Sequence, residues 1–339
     1  MPITTPHAPI APLLLVSLAA APLGAAQPQA DTGNSDRNDE QIKQPEQTEQ
    51  IEQIEQIEQD DSTRLTLTPY AFASFNSDAD FDSDNGEFGF STYRAGLRLS
   101  KGIGEQGTLG ANISFSLLDY DITAGPTATV NSAAGIGSGI DDVYESAIIV
   151  DYTHRGEGDF SYQLSAGVVS AGEDGADFGD TIDVLGTAGF LYKYSDKLSL
   201  GLGVLVKSRL EDDVLVVPVP QIRYKIDDRW MLETERAGAK LSYKSSESLT
   251  YGLAAEYIQE TFRLNDGHSA LASEGVVNHA RVPVSIFAVY APAQQVQVRA
   301  RVGASLASDI EFLDRNGNDI TKEDIDTAVF GSINVSFRF

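Results

Sequence analysis

The chain contains no cysteine, little positive charge and no long apolar run. Each absence excludes something. Without cysteine there are no disulfides, no thiolate metal sites and no thiol nucleophile, and the chain can fold in an oxidising compartment without mispairing. Lys and Arg number 24 against 50 Asp and Glu in 339 residues, a formal net charge of −26. Binding to phosphate backbones depends on cationic side chains displacing counterions, so nucleic acid is excluded as a partner. The longest apolar stretch, Leu13 to Ala21, is shorter than the ~20 residues that a membrane-spanning helix requires.

That stretch, with Gly24, Ala25 and Ala26 after it, reads as a secretory signal peptide over residues 1–26, although its first part carries no Lys or Arg. No cysteine follows, which excludes a lipid-anchored amino terminus. Residues 27–62 form a second segment. From Asp31 to Ser62 it holds 11 acidic and 2 basic residues, and between Glu46 and Gln59 it repeats every three residues. A three-residue period drifts around a 3.6-residue helix, so Ile51, Ile54 and Ile57 do not build a coiled-coil seam. The segment is expected to be a disordered, solvated tail.

From Thr63 the pattern changes to alternation with a period of two, the mark of strands with one apolar face. Val329, Gly331, Ile333, Val335, Phe337 and Phe339 share one face, and Ser332, Asn334, Ser336 and Arg338 share the other. Leu109 to Leu117, Leu249 to Tyr257 and Val296 to Ala304 alternate in the same way. A soluble sandwich would alternate too, with the apolar face inside. Two features favour a membrane barrel. Aromatics such as Tyr93, Tyr152, Tyr192, Trp230, Tyr243 and Tyr290 fall near strand ends, where interfacial girdles would lie. Short turns, as at 101–106, 155–159, 195–197, 227–229, 245–248 and 291–294, alternate with long polar loops, as at 76–87, 121–142, 172–183, 265–276 and 309–326. The fold class read from this rhythm is all-β, an up-and-down antiparallel transmembrane barrel over residues 63–339. It has 14 strands if a break falls near Arg236 to Gly238, and 12 if weak strands drop out.

The signal peptide, the alternation and the terminal Ile333-Asn-Val-Ser-Phe-Arg-Phe339 resemble a Gram-negative outer-membrane β-barrel protein. Phe190 to Gly203 and Pro220 to Leu232 are similar to hairpins of an uncharacterised barrel family of porin-like proteins. The resemblance covers residues 63 to 339. It implies location in the outer membrane, contact with outer-membrane lipid, and delivery by the barrel-insertion machinery through the strand that ends at Phe339. It carries no substrate. No signature of the general trimeric porins is present, so their constriction residues are not transferred and the oligomeric state stays open.

If the apolar faces meet lipid, the polar faces place Arg94, Arg98, Arg299, Arg301 and Arg338 in the lumen, on strands that become neighbours when first and last strands close the barrel. Glu145, Asp151, Glu233 and Glu256 are the candidate counter-charges. Guanidinium groups facing carboxylates would set a transverse field and favour small anionic or zwitterionic solutes; the alternative is that the charges pair and conduct nothing. Two loops are rich in oxygen ligands: Asp78, Asp80, Asp82 and Asp84, and Asp314, Asn316 and Asn318. Such donors suit Ca²⁺ or Mg²⁺, yet Gly317 stands at loop position four where an EF-hand has glycine at six, and solvated acidic loops are the simpler reading. No cofactor is expected otherwise. No enzyme is expected either, since none of the four His stands at a spacing that specifies an activated nucleophile. The functional expectation is a passive channel for small hydrophilic solutes. Its competitors are a closed structural barrel that displays acidic loops and a plugged transporter of hydrophobic solutes, the latter disfavoured because residues 31–62 have too few apolar side chains to form a plug.

Overall fold

A computed structural model of the chain describes residues 64–82, 86–123, 139–140, 142–156, 158–235, 237–268 and 272–339. The expected signal peptide, the acidic tail and Asp84 lie outside the described residues.

The first half of the wall comprises β1 (Thr66–Asn76), β3 (Glu87–Ile103), β4 (Gly107–Thr123), β5 (Val143–Arg155), β6 (Phe160–Glu173), β7 (Ile182–Lys193) and β8 (Leu198–Arg209). A two-residue strand, β2 (Ala79–Asp80), lies in the first loop, and a 3-10 turn, η1 (Phe178–Thr181), precedes β7. The second half comprises β9 (Asp212–Lys225), β10 (Trp230–Glu235), β11 (Gly238–Lys244), β12 (Leu249–Glu256), β13 (Ile258–Arg263), β14 (Val276–Ala293), β15 (Val296–Leu313) and β17 (Ala328–Phe337); β16 (Asp319–Ile325) is a loop strand paired with β15. Each stave pairs antiparallel with the next, and β17 closes on β1 from Tyr70–Ser336 to Asn76–Phe330. With β12 and β13 as one stave, the closed wall has fourteen, and the break expected near Arg236 is the turn between β10 and β11.

The wall is inverted relative to a soluble barrel or sandwich. Ile148, Ile286, Val302 and Val329 point outward and are 57 to 60% exposed, because alternate residues of a strand take opposite faces. Aromatics frame this band at both levels. Trp230, Tyr243 and Tyr251 form one chain with ring spacings of 4.9 and 5.2 Å beside the short turns, and Phe115–Tyr144 and Phe75–Tyr93 stand toward the long loops. The short turns are closed by side-chain caps: Asp227 accepts the backbone N–H groups of Arg229 and Trp230 at 2.8 Å each.

One stave departs from the plan. The sequence suggests a single strand over 248–263, but pairing with β11 ends at Glu256, and Tyr257 separates β12 from β13. Arg263 then pairs in parallel with Gly172 of β6, six staves away across the lumen. The long-loop end of the barrel is therefore divided by its own wall.

Candidate functional site: the lumen

Inward side chains change character along the axis. On β3 the inward row runs Phe88, Phe90, Thr92, Arg94, Arg98 from the long-loop end to the short-turn end. On β4 it runs Tyr120, Leu118, Ser116, Ser114. The sequence thus places aromatics at one end of each inward face and charge or hydroxyl at the other.

The lower lumen, toward the short turns, is polar and ion-paired. Arg94 Nη2 lies 3.0 Å from Glu145 Oε1, with Ser116 Oγ bridging to both, and Arg98 meets Asp151 at 3.4 Å. On the other side Arg301 reaches Glu256 at 2.6 Å and Arg299 reaches Glu235 at 3.8 Å, while Lys240 holds Glu233 and Glu235 at 2.7 and 2.9 Å. Arg223 meets Glu233 at 3.4 Å. The side chains of Arg98 and Arg223 are 56 and 59% exposed although they face inward, so this half of the lumen admits water.

The arginines named from the sequence stand as neighbours: Arg299 and Arg301 on β15, Arg94 and Arg98 on β3, with β17 and β1 between. Their carboxylates flank them along the wall and do not face them across it. Arg338 lies one residue past β17 and is exposed at the short-turn rim. Glu235 and Lys240 were not singled out by sequence, though both follow the same inward alternation as Glu233.

The upper lumen is filled. Phe81, Phe88, Phe90, Tyr120, Phe262, Leu264, Val277, Ile310 and Phe312 form a continuous buried cluster. Burying each such side chain contributes about 1.5–3 kcal/mol. Inside it, Arg281 makes two bonds to Glu260, 2.6 and 3.1 Å, and its guanidinium stacks 4.5 Å from the Phe90 ring centroid. His279, fully buried, lies edge-on to Phe88 and Phe90, with Nδ1 3.5 Å from Tyr120 Oη and Nε2 3.4 Å from Ser308 Oγ. A fork-to-fork arginine–carboxylate pair satisfies both charges at once, which lets them reside among aromatic rings. The sequence signal was the run of inward aromatics at 88 and 90 and at 120, which a water-filled channel has no reason to carry.

Loops complete the closure. Arg263 donates to Asp180 O, Glu274 O and Glu211 Oε1 at 3.0, 2.7 and 2.7 Å, tying β13 to η1 and to the β8–β9 turn. Leu210 of that turn packs against Val276 and Leu313. Gly317, at φ +79, lies so close to Glu211 O that a side chain there would collide with it. Glu173 accepts Asn265 N–H at 2.9 Å and contacts His268 Nε2 at 2.7 Å.

The oxygen-rich loops are occupied by their own donors. Asp314 accepts Asn316 N–H, Asn318 N–H and Asn318 Nδ2 at 2.7 to 2.9 Å, and the hydrogen bonds from Asn318 hold its carboxyl below the ordinary range. Asp80 and Asp82 join β16 and the residue after it through their backbones, to Asp326 N–H and Asp324 O. Asp78 lies against Gly89. Among the described residues no three His, Asp or Glu side chains converge on a common point.

A family model described as a domain of unknown function (DUF6268) matches residues 160–339. No curated protein matches the chain. Among solved structures, the COG4313 outer membrane channel from Pseudomonas putida F1 is similar at a TM-score of 0.45 and 11% identity, over 82% of this chain and 96% of that one. The P. putida toluene transporter TodX is similar at 0.39 and 8%, over 81% and 90%. The translocator domain of the autotransporter NalP from Neisseria meningitidis is similar at 0.33 and 11%, over 86% and 97%.

Proposed function

Because the chain belongs to the DUF6268 family, whose description names no activity, we propose its function from the barrel itself: an outer-membrane channel for small solutes, closed at its outer mouth. The apolar exposed wall with two aromatic levels supports placement in a bilayer, where pairing around the wall satisfies the ladder hydrogen bonds of nearly all its strands. The short-turn end is the periplasmic one and the long-loop end the extracellular one, as in barrels of this kind. The observation that carries the reading is the division of the lumen: hydrated, ion-paired side chains below, a packed aromatic plug above. A scaffold barrel has no use for a hydrated half.

The plugged alternative now has a concrete form, in which the plug is built from the wall's own strands and not from the amino-terminal tail. Transport, not catalysis, is the reading that His279 supports, because its ring is held inside the plug with no solvent-facing edge. The partners implied are outer-membrane lipid, small solutes, and the insertion machinery engaged through the strand ending at Phe339.

The test is single-channel recording of the refolded protein in a planar bilayer, native against Phe88→Ala with Phe262→Ala. The native protein is expected to show rare openings and the double variant steady ohmic steps. Adding Arg299→Ala and Arg301→Ala should lower the anion preference of those steps, since that wall sets the field. A double variant that is folded, inserted and silent overturns the channel reading and leaves a structural barrel.

A further inference from the structure

The hairpin β10–β11 is too short for the wall it belongs to. Its strands have six and seven residues, whereas neighbouring β9 has 14. At ~3.3 Å per residue and a tilt of roughly 45°, such a hairpin rises about 15 Å, half of the ~30 Å hydrocarbon layer. Pairing of β9 with β10 stops at Arg223–Glu233, and pairing of β11 with β12 stops at Gly238–Glu256. Above these rungs β13 stays on β14 from Ile258–Arg281 to Arg263–Val276, its last residue meets Gly172 of β6, and no rung joins it to β9. Among the described residues, then, no stave lies between the upper halves of β9 and β13.

The sequence of β9 is suited to an open edge. Thr234 Oγ1 accepts the N–H of Ile222 at 2.9 Å and lies 3.5 Å from its carbonyl, so a side chain replaces the next ladder rung. Backbone N–H groups alternate between the two edges of a strand, so residues 220 and 218 would point theirs toward the same gap. Both are proline and have none to leave unsatisfied, so on this edge only Val216 and Val214, nearer the β8–β9 turn, carry N–H groups. Both faces of this segment are apolar. Val214 and Val216 face outward, and Leu215, Val217 and Val219 face inward beside Leu205 of β8. Below the gap the same inward row becomes Gln221 and Arg223. The straight route upward is filled by the aromatic plug and latched by Arg263–Glu211.

We propose that this opening is a lateral port, through which a small apolar or amphipathic molecule passes between the lumen and the hydrocarbon layer. The proposal rests on the channel reading and adds the solute class and the route: polar vestibule, apolar side compartment, membrane. The β9 edge forms one jamb, Thr234 the sill, β13 the other jamb and the β8–β9 turn the lintel.

The full chain without native cysteine allows a clean test. A fluorophore attached at Val219→Cys, an inward position, is expected to be quenched by brominated lipid acyl chains nearly as strongly as one at outward Val216→Cys, while one at inward Ser165→Cys, behind an intact wall, is not. Lack of quenching at 219 with quenching at 216 overturns the port. In proteoliposomes, uptake of N-phenylnaphthylamine should fall about tenfold when Val217→Trp and Val219→Trp fill the gap, as expected when pore-lining side chains control passage. The same tryptophans placed in the Phe88→Ala, Phe262→Ala protein should leave its ionic steps intact. Conductance without any effect on the apolar probe sinks the port and spares the channel. A folded plug variant that does not conduct sinks the channel reading on which the port depends.

Discussion

Arg94 and Arg281 each meet a glutamate inside the barrel, yet the two pairs live in different solvents. The Arg94–Glu145 pair is 31 and 22% exposed beside hydrated neighbours, whereas Arg281–Glu260 is 9 and 15% exposed among aromatic rings. At Arg94–Glu145, Arg98–Asp151 and Arg223–Glu233 water reaches at least one partner and screens the charges, so these pairs are replaceable, whereas Arg301–Glu256 and Lys240–Glu233 are nearly as enclosed as the upper pair. In the upper half the charges are held because each desolvated group has the other as its charge partner, with His279 beside both, and the pair fixes how β13 and β14 pack. The same residue chemistry gives a permissive vestibule at one end and a single rigid arrangement at the other.

The contrast predicts a graded series. Glu260→Ala leaves the Arg281 guanidinium buried without its partner and is expected to cost about 3–5 kcal/mol, read as a lowered urea midpoint for the barrel in lipid vesicles. A loss near that of a surface pair would dissolve the distinction between the halves. Glu145→Gln should cost less than about 1 kcal/mol, with high salt erasing most of the difference, because an accessible pair is weak and screened. The smallest effect belongs to the short turn at Asp227. Backbone N–H groups of Arg229 and Trp230 hold the Asp227 carboxyl below its ordinary value of 3.8. A lowered folded-state pKa contributes stability that is present above the ordinary value and lost as pH falls through the lowered one. An NMR titration of Asp227 in micelles should therefore place its midpoint below that of an unfolded control, with no stability change between pH 5 and pH 8.

Much of the wall was legible in the residues. Alternation fixed which face of β17, β4 and β15 is apolar, and the parity of short turns demanded a break near Arg236, where the β10–β11 turn falls. The inward places of Arg94, Arg98, Arg299 and Arg301 follow from the same period. What periodicity does not report is curvature. Alternation runs from Leu249 to Tyr257 and then inverts, Ile258 and Phe262 taking the face that was polar and Gln259, Thr261 and Arg263 the other, so the local pattern marks the change at Tyr257. What it does not report is the destination, because Arg263 bonds Asp180 and Glu211, far along the chain, as well as nearby Glu274. The plug was hidden for a related reason. The inward aromatics Phe88, Phe90 and Tyr120 are visible in the sequence, but only closure of the barrel brings them to Phe262 and His279. The Val-Pro-Val-Pro run of β9 was a visible signal, since proline at alternate positions and apolar residues on both parities contradict a paired strand over a water-filled lumen.

The seam between β1 and β17 carries a kinetic consequence. Apart from the single Arg263–Gly172 bridge, every other rung of the wall joins staves adjacent in sequence, while this one joins Tyr70 to Ser336 across nearly the whole described chain. Loop-closure entropy makes such a non-local pairing slow relative to the local hairpins. Assembly therefore passes through a curved open sheet with two bare edges, and the plug, whose residues come from both sides of the seam, can pack only after those edges meet. Closing the cylinder and shutting its mouth are successive steps of one maturation, in that order.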